Sequence, residues 1–238
     1  MKKWEIRFYF NGELKTEVIE GNIKERDVRK AIIDRYSIQN SDIQNVSGAF
    51  DSLPGKKLFL GTHAINSSLD LGMAYAKSGN KYYALISPLL EEQRKVVETK
   101  SGTPDASQAI ENINKYFINH GLGHADIIRF CKAKGSKDSD IDLDEPIVWN
   151  DELPELIKNA DLVILNGKTK NASNPCTYKF LKDYCDNCKT HKMRIDSNYI
   201  YVDEKRIEYL AIYSSSNGTR AKYWVDREKQ WNGLFGKE

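Results

Sequence analysis

No apolar run in this 238-residue chain approaches the length of a membrane span. The first residues alternate charged with aromatic side chains, which is not the pattern of a signal peptide. Charge of neither sign dominates, since 36 Lys and Arg face 34 Asp and Glu. A nucleic-acid partner would therefore have to meet cations gathered on one face. Cysteine is scarce. Cys131, Cys176, Cys185 and Cys188 include one close pair, and without a secretory pattern they read as free thiols or ligands rather than disulfides. A cytoplasmic location is the expectation. There is no internal repeat. What remains is ordinary globular material, with thirteen Tyr and eight Phe to fill a core. The length suits one large domain, alone or with a small appendage.

The chain changes character near residue 54. In "KKWEIRFYF", Trp4, Ile6, Phe8 and Phe10 alternate with Glu5, Arg7 and Tyr9, the period of a half-buried strand. Asn11-Gly12 follows, a hairpin signal because both residues tolerate positive φ. "ELKTEVIEG" is the return strand, and "KERDVRKAIIDRYS" is a helix with Val28, Ile32 and Tyr36 on one face. Residues 1–54 are thus expected to form a hairpin-helix unit ending at "DSLPGKK", either packed on the main domain or contacting substrate. Residues 55–238 are the main domain. There "KLFLG" and "DLVILNG" are short continuous apolar runs ending at Gly, and "RIEYLAIYSSS" ends in serines. Such runs suit parallel strands covered on both faces. Between them, "SQAIENINKYFINHG", "NDELPELIKNA" with Asn150 as an N-cap candidate, "TYKFLKDYCDNC" and "TRAKYWVDREKQW" read as helices. The acidic run "SKDSDIDLDE" reads as a solvated loop. Alternating strands and helices predict a three-layer α/β/α domain with a central parallel sheet.

Open parallel sheets bind ligands outside the carboxyl ends of their strands. Three such ends carry small or polar residues: Gly61-Thr62-His63, Asn166-Gly167 and Ser214-Ser215-Ser216-Asn217. In order and content they resemble the uracil-DNA glycosylase superfamily, nearest its mismatch-specific and hypoxanthine-type branches. "LFLGTHA" is similar to the first motif of those enzymes, and "YAKSGNKYY" to the aromatic and amide segment that follows it. "GLGHADIIRFCKAKGSKDSDI" resembles the middle segment, with Asp126 after a Gly-rich turn. "DLVILNGKTK" resembles the third strand, and "AIYSSSNGTRAKYW" the last motif. The resemblance covers roughly residues 56–231. It departs from the family pattern at Ala64 and Tyr213, where Pro is usual, and at His63, where a water-orienting Asp or Asn is usual.

The resemblance implies a cofactor-free DNA glycosylase that removes a deaminated base, uracil or hypoxanthine, in base excision repair. Such an enzyme flips the base from the stack, positions a water and stabilises the departing anion. It implies Asn80 and His63 as catalytic residues, with Tyr75 as a stacking platform and Asn166 and Thr62 as base contacts. Ser215, Ser216, Asn217, Arg220 and Lys222 would hold the DNA backbone. Each has a plainer reading. Tyr75 is also a core aromatic, Asn80 a helix cap, His63 a satisfied structural histidine and Asn166 a strand-end turn with Gly167. The serines and Asn217 are also helix caps, and the two cations solvated. "CTYKFLKDYCDNCKTH" offers Cys176, Cys185, Cys188 and His191 as a Cys₃His zinc set, or as thiols on a helix and its end. No metal or other cofactor is expected. The expected partner is DNA containing a deaminated base, with no membrane, and a monomer is expected. Two other functions are open: a catalytically degenerate nucleic-acid-binding member of the fold, or an α/β enzyme acting on a nucleotide or nucleoside.

Overall fold

The structure is a computed structural model. It describes residues 3–21, 25–47, 52–63, 71, 73–76, 79–131, 138–144, 147–167, 175–215 and 223–236. The N-terminal unit begins with β1 (Lys3–Phe10) and β2 (Glu13–Glu20), an antiparallel pair. Asn11 and Gly12 join them at φ 54° and 78°, both positive as a two-residue type I′ turn requires. The alternation of β1 puts Trp4, Ile6 and Phe8 on one face. They pack on Val28 and Ile32 of α1 (Glu25–Tyr36) and on Ile43. Ile43 opens β3 (Ile43–Ser47), which pairs with the free edge of β1. This third strand has too few apolar residues to be seen in the sequence.

In the main domain the elements run β4 (Lys57–Gly61), α2 (Tyr82–Ile86), α3 (Pro88–Thr99), α4 (Pro104–Asn119), β5 (Leu122–Asp126), β6 (Ile128–Phe130), β7 (Val148–Trp149) and α5 (Leu153–Asn159). They continue with β8 (Leu162–Asn166), α6 (Thr177–Asn187), β9 (Met193–Ile195), β10 (Tyr199–Val202), β11 (Lys205–Ile212) and α7 (Trp224–Phe235). The central sheet has the order β5-β4-β8-β11-β10-β9. The first four strands are parallel. β10 and β9 extend them as an antiparallel edge, an addition to the parallel sheet expected. Both faces of the parallel part are covered, which explains its continuous apolar runs. Leu58, Leu60, Val163 and Leu165 face Phe180 and Leu181 of α6 and Ile157 of α5. The intervening Phe59 and Ile164 face the opposite core, with Leu90, Ile113, Phe117 and Trp231 from α3, α4 and α7. The domain is therefore the three-layer α/β/α sandwich expected.

Three local readings change. "KYYALISPLL", the stretch after Asn80 that reads in the sequence as the one helix it would cap, forms two helices, because Pro88 drives Ser87 into extended backbone (φ −160°, ψ 138°) and restarts the helix. Asn150 precedes the N-cap of α5 instead of serving as it. Its Oδ1 accepts from the Glu152 N–H at 3.1 Å, and Nδ2 donates to the Asp126 carbonyl at 2.9 Å. The acidic run is not wholly solvated. Asp138–Asp140 form a 3-10 turn, and Ile141 behind them is buried in the core.

Candidate active site

The carboxyl ends of β4, β5, β8 and β11 lie side by side, and hydrogen bonds tie the segments leaving them. Beyond β4 and β5, the Ile127 N–H donates to the Gly61 carbonyl at 3.0 Å and the Ile128 N–H to the Thr62 carbonyl at 2.9 Å. Across β8 and β11, Asn166 and Ser215 clasp each other. Asn166 Nδ2 donates to Ser215 Oγ, and the Ser215 N–H donates to Asn166 Oδ1, both at 3.0 Å. The Ser215 carbonyl then accepts from the Lys81 N–H at 2.9 Å, docking the start of α2 onto the end of β11.

Gly61 lies at the centre of this edge, paired in register with Asp126. A Cβ on Gly61 would sit 2.3 Å from Asp126 Oδ1 and 2.5 Å from Tyr75 Oη. The missing side chain is thus what allows a carboxyl and a phenol to converge there. Burial, reinforced by the neighbouring Asp138 carboxylate, pushes the Asp126 carboxyl up to about 7. Asp138 is itself raised by burial, opposed by a hydrogen bond from Thr62. The Thr62 hydroxyl is also 3.1 Å from Thr177 Oγ1 at the start of α6. His63 is pushed down to about 4, mainly by burial and opposed by Asp140, so its imidazole is neutral at pH 7. Its Nδ1 is buried without a hydrogen-bond partner.

Tyr75 sits at φ 56°, an outlier for a bulky residue and a cost of about 1–2 kcal/mol. Its ring stacks on Tyr82 at 4.2 Å and 27°. Burial holds the phenol well above its ordinary range, with the Asp126 charge adding to the rise and the nearby Asn166 amide opposing it. The hydroxyl makes no hydrogen bond of normal geometry and remains a buried donor. Such strain at a bulky residue is characteristic of functional positions.

The structure thus brings together Thr62, His63, Tyr75, Asn80, Asn166 and Ser215 at one edge of the sheet. It also gives several of them structural duties. Asn80 Oδ1 accepts from the Tyr82 N–H at 3.0 Å, capping α2 from one residue before its N-cap. Ser215 is fully buried, with its hydroxyl bonded to Asn166. Ser216, Asn217, Arg220 and Lys222 lie outside the described residues. Two acidic groups carried no assigned role in the sequence reading. In the sequence Asp126 stands only as the residue after a Gly-rich turn in the middle segment, and its strand "LGHAD" is too weakly apolar to stand out. Asp138 is hidden in a run of charges.

Among the described residues, no three His, Cys, Asp or Glu side chains are placed to hold a metal. Cys176 precedes α6, Cys185 is buried within it and Cys188 follows it. His191 Nδ1 instead meets Asp203 Oδ2 at 3.1 Å. No helix among the described residues is long and apolar enough to cross a membrane.

No family model matches the chain, and no curated protein matches it. Among solved structures it is similar to a solution NMR structure described as "a putative Uracil DNA glycosylase from Methanosarcina acetivorans". The two are 20% identical over 79% of this chain and 94% of that one, with a TM-score of 0.47. A likeness this distant assigns no role to any residue here.

Proposed function

We propose that the strand-end site hydrolyses the N-glycosidic bond of a deaminated base, uracil or hypoxanthine, in DNA. The observation that carries this reading is the convergence of Asp126 Oδ1 and Tyr75 Oη on Gly61. Breaking this bond leaves positive charge on the sugar and negative charge on the base. A carboxylate that orients water and a neutral donor near the departing base answer those two charges. Asp126, ionised above about 7, orients the water. Tyr75, whose raised phenol stays protonated, offers its ring as a platform and its O–H as a donor.

His63 adds a neutral imidazole whose unpartnered Nδ1 can bond to water or base. The Asn166 amide, fixed by Ser215, keeps one N–H for a base edge. Asn80 keeps its NH₂ for the water or base while its oxygen caps α2. Thr62 orders Asp138 behind Asp126. Beyond the described residues, Ser216, Asn217, Arg220 and Lys222 supply backbone contacts in this reading. Repair of deaminated DNA is the process such an activity would serve.

The test is a product assay on oligonucleotides carrying uracil or hypoxanthine. Free base and alkali-labile abasic sites are expected from at least one of them. Salt-sensitive DNA binding without product would leave a degenerate binder in its place. Cleavage of free nucleosides or nucleotides, with DNA ignored, would indicate a small-molecule enzyme.

A further inference from the structure

Arg94 lies on α3, is 5% exposed, and belongs to none of the strand ends. Its ion pairs are both within its own helix, to Glu91 at 2.9 Å and Glu98 at 2.8 Å. They do not join α3 to another element. The guanidinium does so through one bond, from Nη1 to the carbonyl of Ala76 at 3.2 Å. On the other flank of the same segment, Tyr83 Oη of α2 donates to the carbonyl of Ala74 at 2.7 Å. The residue between these two anchored carbonyls is Tyr75, in its left-handed conformation.

We infer that Arg94 and Tyr83 are positioning residues that clamp the backbone on either side of Tyr75 and hold its ring on Tyr82 and its hydroxyl over Gly61. As a claim about catalysis, this rests on the reading of Tyr75 as the base platform. A buried ion-paired arginine adds little net stability, so a geometric duty accounts for its place better than a stabilising one. The two glutamates fix the guanidinium plane, which aims Nη1 at Ala76.

The test uses the full chain with Arg94→Met, Arg94→Lys and Tyr83→Phe. Two NMR signals are followed, the ring resonances of Tyr75, assigned with Tyr75→Phe, and the carboxyl carbon of Asp126 across pH. In Arg94→Met and Tyr83→Phe the Tyr75 resonances should move. The Asp126 midpoint should fall from near 7 toward the ordinary carboxylate range as water enters. Arg94→Lys, which can still donate to Ala76, should restore part of both. Single-turnover base release should fall at least 10-fold in Arg94→Met. Signals unchanged from wild type in folded variants would overturn the inference. If Arg94→Met does not fold, Tyr83→Phe decides. Absence of base release by wild type would remove the glycosylase reading while leaving the NMR result to judge the clamp.

Discussion

Asn80 carries two demands on one amide. Its oxygen caps α2 through the Tyr82 N–H, and its nitrogen is the part left for chemistry. The two are separable by substitution. Asn80→Ala removes both and should destabilise the protein by about 1 kcal/mol, the usual cost of a lost cap. It should also lower single-turnover base release by about 10²-fold. Asn80→Ser keeps a capping oxygen and loses the amide. Its thermal midpoint should return to near that of wild type while base release stays low. Recovery of both would make Asn80 a cap alone. At this scale the sequence was informative about residue type and uninformative about partners. Thr62, His63, Tyr75, Asn80, Asn166 and Ser215 occupy strand-end and motif positions in the sequence, and the fold brings them to one edge of the sheet. Nothing in their spacing shows that Ser215 is buried against Asn166, or that Tyr75 takes a left-handed turn. The first depends on a contact between residues far apart in the chain, and the second is a backbone conformation that residue type does not show.

Elements were most legible where one physical signal dominated. The runs "KLFLG" and "DLVILNG" are strands because both faces are buried, and α4 is visible from its apolar stripe of Ile110, Ile113 and Phe117. The short edge strands were not. β9, with Met193, and β10, with Ile200 and Val202, bury one face only, over three and four residues. β5 was missed for a different reason. Its glycine and histidine, just after Gly121, look like a turn, yet Gly123 is where the chain before β4 crosses the sheet edge. A Cβ there would lie 2.4 Å from the Leu53 carbonyl and 2.6 Å from the Gly55 nitrogen. Leu53 and His124 exchange backbone hydrogen bonds at 2.9 Å in each direction across this contact. Gly123, which disguises the strand, is the residue that lets its edge be covered, and the strand's last residue is Asp126.

At the scale of the molecule, the N-terminal unit has its own core of Trp4, Ile6, Phe8, Val28, Ile32 and Ile43. An ion pair between Glu5 and Arg129, 3.3 Å long and partly exposed, links it to the main domain. Pairs of this kind contribute about 0–1 kcal/mol. Leu53, by contrast, is bonded through its backbone to His124 of β5, and Ser52 Oγ accepts from Asn150. A fragment of residues 52–238 is therefore expected to stay soluble and to melt in one cooperative transition. Aggregation, or a melt without a transition, would place the N-terminal unit within the main core.

The central claim is that Asp126 acts as a carboxylate in glycosidic hydrolysis. Its folded-state pKa of about 7 lies above the ordinary value of 3.8, so the acting form grows in as pH rises through 7. The most direct measurement is single-turnover base release from uracil-containing DNA across pH 5–9, for wild type and Asp126→Asn. The wild-type rate should rise about tenfold per pH unit below 7 and level off above it. Asp126→Asn should be slower by about 10²-fold or more at pH 8 and lack that inflection. A wild-type rate flat across this range, or an Asp126→Asn variant with the wild-type rate and profile, would contradict it.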